Sequence, residues 1–158
     1  MVSGVDSLGL PSGTITPRLV SALYVEAMVL ADEVRAYFDE SGREERDHLP
    51  PLLRVTFSCE SLKVTTRLMH IIAWLLNRRA VDAGELSEGD ALHETRRLGN
   101  ATESDEAILR TLPERGQLLI RASQDLYERV ARLDDGLVPA SRPINPARSL
   151  IDRLEAAF

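Results

Sequence analysis

The chain has a single cysteine, Cys59, so no disulfide can form within it and the fold must rest on apolar burial. It also lacks any apolar run long enough to span a bilayer. The longest dense one, Leu68 to Leu76, is interrupted by His70 and falls far short of the roughly 20 residues required. The N-terminus has neither the charged start nor the apolar stretch of a signal peptide, which makes the cytoplasm the expected compartment. Positive charge is not in excess. Nineteen Lys and Arg face twenty-five Asp and Glu, a net charge of -6, so the field repels nucleic acid and acidic membranes, and neither is an expected partner.

Catalytic and cofactor signatures are missing too. The three histidines, His48, His70 and His93, never fall three or four residues apart, the spacing that would set two metal ligands on one helical face. There is no Walker loop, no dinucleotide glycine fingerprint and no nucleophile elbow. No metal and no cofactor are expected, and no segment alternates apolar and polar residues in the manner of a strand.

What the sequence does contain is one domain's worth of helix. At 158 residues and 44% hydrophobic composition it can bury a core unaided. Thr16-Pro17 reads as a helix start, a hydroxyl cap before a proline whose missing N–H costs nothing there. Val20, Leu23, Ala27, Leu30, Ala31, Val34 and Phe38 then recur on one face, up to Ser41-Gly42. A third long helix opens at Pro113, carries Leu119, Ala122, Leu126, Val130 and Leu133, and is expected to stop at Asp134-Asp135-Gly136. Between these two, Ser87 and Asp90 resemble the cap of a short charged helix. The fold class is therefore all-α, an antiparallel three-helix bundle with a long central helix and short accessory helices.

The central helix, from about Pro51 to about Ala83, is the most informative segment. Its main stripe is Leu52, Val55, Cys59, Leu62, Thr66, Met69, Ala73, Leu76 and Ala80, and Leu68, Ile71, Ile72, Trp74 and Leu75 widen the apolar arc. An arc that wide needs cover on more than one side, and a homodimer is the simplest source of it. Glu60 and Arg67, two turns apart, are candidates to bridge charges across a dimer or bundle seam together with those wide-arc residues. An alternative reading gathers Arg67, Arg78, Arg79 and Glu60 into the inward-facing pocket of a helical-bundle enzyme. A structural or regulatory dimer is a further alternative.

Residues 1–15 read as a flexible leader, 16–136 as the bundle, and 137–158 as a proline-containing tail that ends in a short amphipathic helix. Leu150, Ile151, Leu154 and Phe158 share a face of that helix and are candidate anchors, either on the bundle or in a partner's groove.

The run Glu60-Ser61-Leu62-Lys63-Val64-Thr65-Thr66-Arg67-Leu68-Met69, followed by Trp74-Leu75-Leu76 and Arg79-Ala80-Val81, resembles the hallmark of an alphaproteobacterial family, that of the regulator of CtrA degradation (RcdA). The resemblance spans about residues 17–135. It implies a homodimeric antiparallel three-helix bundle that is a non-enzymatic adaptor in regulated proteolysis. Its implied partners are the ClpXP protease, primed by a CpdR-like response regulator, and cell-cycle substrates or further adaptors delivered to it.

Overall fold

The computed structural model describes residues 15–138 and, in the tail, residues 153, 154, 156 and 157. In chain order the elements are α1 (Pro17–Ala36), a π-helical turn (Tyr37–Ser41), α2 (Gly42–Asp47), α3 (Pro51–Asp82) and α4 (Glu88–Ala91), then a 3₁₀ turn (Glu94–Arg96), α5 (Glu106–Leu109) and α6 (Glu114–Leu137). No strand occurs among the described residues. The leader lies almost wholly outside them, as do Leu150, Ile151 and Phe158.

Local chemistry sets the helix ends. Thr16 accepts the Leu19 N–H on its hydroxyl at 3.1 Å, with Pro17 in the first turn of α1. Pro51 stands in the first turn of α3, preceded by Pro50 and without a side-chain cap. Gly84, at φ 75°, ends α3 by turning left-handed, so that the Glu85 N–H reaches back to the Ala80 carbonyl at 2.9 Å. Ser87 caps α4 by accepting the Asp90 N–H at 3.0 Å.

α1 buries the expected face: Val20, Leu23, Ala27, Leu30 and Val34 are all inside. Its π-helical extension tucks both Tyr37 and Phe38 inward, where their ring centroids lie 6.0 and 5.1 Å from that of Phe57 of α3. α3 contributes Val64, Leu68, Ile71, Trp74 and Leu75, and α6 contributes Leu119, Ile120, Leu126 and Val130. Each such large side chain adds roughly 1.5–3 kcal/mol by leaving water.

Pairings along the rods give their directions. Near one end, the rings of Tyr37 and Phe57 flank Gly116. Near the other, Arg79 lies over the Tyr24 ring at 4.7 Å, Trp74 bonds Asp134, and Arg129 pairs with Glu26. α1 is therefore antiparallel to both α3 and α6, while α3 and α6 run the same way. A parallel pair needs a long return, and residues 83–113 supply it. This crossover runs back along the bundle: Arg97 reaches Asp134, Gly99 packs on His70, and Ser104 meets Arg67.

Asp134 does not stop α6, which continues to Leu137. Its carboxylate is buried and accepts the Trp74 indole N–H at 2.9 Å and the Arg97 guanidinium at 2.8 and 3.0 Å. Satisfied in this way, an acidic residue is as good a helix continuer as its apolar neighbours.

Candidate functional site

α3 has two opposite faces, and its charges are distributed between them in an unusual way. Between Arg54 and Arg78 its charged residues are Glu60, Lys63 and Arg67. Glu60 is 1% exposed, Arg67 is 2% exposed, and Lys63 leans on Glu60 at 2.9 Å. The main apolar stripe read from the sequence lies on the other side, facing solvent: Leu52, Val55, Leu62, Met69 and Leu76 are 48 to 78% exposed, and Cys59 is exposed with them. The helix thus turns Glu60, Arg67 and Arg78 inward and presents an outer apolar stripe, about 40 Å long from Leu52 to Ala80 at 1.5 Å per residue.

The inward charges are held by the crossover. Arg67 donates to the Thr102 carbonyl at 2.7 Å, the Ser104 hydroxyl at 2.6 Å and the Ser123 hydroxyl at 3.2 Å. Ser104 passes its own O–H to Glu60. Burial pulls the Arg67 guanidinium below its ordinary range, and the charges of Glu60 and Glu103 oppose that shift. Further along, Arg78 makes a two-pronged contact with Glu88 of α4 at 3.1 Å on each arm.

The residues singled out from the sequence separate into groups. Leu68, Ile71, Trp74 and Leu75 belong to the bundle core, and Ile72 is half-buried at its edge. Glu60 and Arg67 face the crossover of their own chain. Leu154 is helical and 52% exposed. The arginines of the enzyme alternative do not converge. Arg67 is engaged by Ser104, Thr102 and Ser123, Arg78 by Glu88, and Arg79 stacks on Tyr24 at the surface. A cavity of about 240 Å³ beside Arg67 is lined by Thr102, Glu103, Gln124, Tyr127 and Glu128, and none of the other three reaches it.

Sequence reading misses the partners Ser104, Ser123, Glu88 and Asp134. Asp134 and Ser123 carried a signal: Asp134 follows Val130 by four residues, and Ser123 follows Leu119 by four and precedes Leu126 by three, so both occupy apolar-stripe positions. The described residues contain no cluster of His, Cys, Asp or Glu suited to a metal ion. No described helix is long and apolar enough to cross a membrane.

No curated protein matches the sequence. The crystal structure of RcdA from Caulobacter crescentus CB15 is similar, with 32% identity over 82% of this chain and 98% of that one, and a TM-score of 0.65. The family described as "Protein of unknown function (DUF1465)" matches residues 12–158. On both grounds the chain is RcdA-like, and it belongs to the DUF1465 family.

Proposed function

We propose that this protein is a non-enzymatic adaptor of regulated proteolysis, which docks other proteins and helps deliver cell-cycle regulators to the ClpXP protease after a CpdR-like response regulator has primed it. The observation that carries this reading is the exposed apolar stripe on the outer face of α3. An exposed apolar stripe of that length marks a surface that other proteins cover, and the central charges Glu60 and Arg67 are buried on the opposite side, which leaves Arg54 and Arg79 as the exposed charges flanking its ends. The likeness to RcdA supplies the direction: family resemblance in that segment points to proteolysis rather than to some other use of a sticky helix. A second copy of the chain is the first candidate to cover the stripe, which makes the protein a homodimer. Tethering then acts by raising the local concentration of cargo at the protease, with no chemistry of its own.

The test is capture on tagged full-length protein from the cell that makes it, beside a Leu62→Asp, Met69→Asp variant. Recovery of the ClpX unfoldase or a CpdR-like regulator by the wild type is the expected result. Absence of both from the wild-type capture overturns the adaptor reading. The dimer is judged separately, by sedimentation of the two proteins.

A further inference from the structure

Of the bundle's three long grooves, the one between α3 and α6 is filled by the crossover, whereas the groove between α1 and α3 is open. Its floor and walls are Ala31, Val34 and Phe38 from α1 with Leu68, Met69 and Ile72 from α3. It holds about 310 Å³, and its rim carries Arg35, Asp39, Ser61 and Thr65. We infer that this groove is the seat of the chain's own C-terminal segment, residues 146–158, which lies in it as a fourth helix.

The first argument is pattern. On a helical register Leu150, Ile151, Leu154 and Phe158, with Ala147 and Ala157, share one face, while Arg148, Asp152, Arg153 and Glu155 occupy the rest. Spacings of three and four between apolar anchors are what an apolar groove accepts from a helix. The described residues of this segment, Arg153, Leu154, Ala156 and Ala157, are helical, and Leu154 stands 52% exposed, an apolar anchor in want of cover.

The second argument is reach. The Trp74–Asp134 bond puts the end of α6, four residues on at Val138, level with the C-terminal turns of α3. Residues 139–146 extend to about 26 Å at most. That suffices to pass around one helix of the bundle, whose neighbours sit about 8–10 Å apart, but leaves little length to spare along the axis. The segment must therefore enter the groove near Leu76 and run toward the Phe38 end, parallel to α1. Twelve helical residues then cover about 18 Å, the same rise as the stretch of α3 from Leu76 to Val64, which takes in the groove's lining from Ile72 to Thr65. In this register Leu154 comes level with Ala31 and Met69, and Phe158 level with Arg35 and Thr65.

The third argument is economy of surface. The tail cannot satisfy its apolar face alone, because so short a helix is marginal in water; the opening between α1 and α6 is lined largely by the charged Glu26, Glu33, Asp125 and Arg129, whereas this groove offers Ala31, Val34, Phe38, Leu68, Met69 and Ile72. Being attached gives the tail an effective concentration that a free partner would have to exceed. The contact uses the groove, which shares Met69 with the outer stripe of α3 but not Leu52, Val55, Leu62 or Leu76, and it needs no protease.

Cysteine trapping in the full-length chain tests this. In a Cys59→Ser background, Ala31→Cys is paired with Leu154→Cys, and separately Arg35→Cys with Phe158→Cys. Arg35 is exposed, so the second pair does not risk the core. Mild oxidation is expected to close a disulfide within one chain, at a rate unchanged over about a hundredfold dilution. Adding Leu150→Asp and Ile151→Asp is expected to slow closure by about tenfold or more. Crosslinks only between chains, rising with concentration, overturn the inference in favour of a second copy in the groove. No crosslink in either pair, with the fold intact by circular dichroism, shows that the tail does not sit there and overturns it as well.

Discussion

Arg67 and Glu60, both on the inner face of α3, are joined by Ser104, which takes an N–H from Arg67 at 2.6 Å and gives its hydroxyl hydrogen to Glu60. Among the described residues Ser104 is the one hydroxyl bonded to both of these buried charges, and it comes from the crossover rather than from either neighbouring helix.

Ser104→Ala leaves the Glu60 carboxylate short of a donor in a buried site. The expected loss is about 2 kcal/mol, read from the urea midpoint at constant slope. Arg67→Ala removes the cation while Glu60 stays buried, and is expected to cost more, about 3–5 kcal/mol. A loss under about 0.5 kcal/mol for Arg67→Ala would mean that the network does not hold the crossover.

Gly99 packs so closely on His70 that an added Cβ would lie 2.2 Å from Nδ1 of the ring. Gly99→Ala is expected to displace the crossover, cost about 1–3 kcal/mol and speed amide exchange across residues 98–105. Pairing it with His70→Ala should return part of that loss. Additive losses in the double variant would place the strain elsewhere.

Leu62→Asp and Met69→Asp fall on the outer stripe, where both side chains are about two-thirds exposed. The fold should lose no more than about 0.5 kcal/mol, while self-association is expected to disappear in sedimentation velocity. Ile71→Asp, on the opposite face and fully buried, should instead unfold the chain. If all three variants fold and self-associate like the wild type, the outer stripe is not the dimer surface.

Tyr37 is pushed upward by burial first, and then by its hydrogen bond to Glu45 and that residue's charge. Since the folded protein holds this proton more tightly than the unfolded chain, whose phenol titrates near pH 10, stability should be constant below about pH 10 and decline as pH rises above it. Tyr37→Phe is expected to flatten the alkaline limb, measured as urea midpoints from pH 8 to about pH 11. An unchanged slope would assign the decline to other groups.

How far the sequence spoke for itself differs from helix to helix. On α1 a single apolar stripe of helical period names the buried face; on α6 Leu119, Leu126 and Val130 are buried as read, but Ala122 is exposed and Leu133 half-buried, and Ile120, Ser123 and Asp134 take the inner positions beside them. On α3 two stripes lie opposite each other, and periodicity does not say which is inside. That choice rests on whether Glu60, Arg67 and Arg78 find partners, and those partners are Ser104, Thr102, Ser123 and Glu88, most of them 35 to 56 residues away in the chain. The crossover that supplies several of them has no apolar period of its own. Its course, and with it the parallel alignment of α3 and α6, comes only from tertiary contacts. The exposed stripe is the reverse case: its residues are obvious in the sequence, but only the fold shows that they are left uncovered.

The Asp134 junction also bears on how the molecule yields to force. A pull applied at the C-terminal end of α6 acts first where Asp134 is held to Trp74 of α3 and to Arg97 of the crossover, within four residues of Val138. Because α3 and α6 run in the same direction, that pull begins at the very turn where three separate parts of the chain are fastened together. The bundle's mechanical lock therefore lies at its most accessible end, and tension must break an indole bond and a two-pronged ion pair before any turn of α6 beneath them can be drawn away.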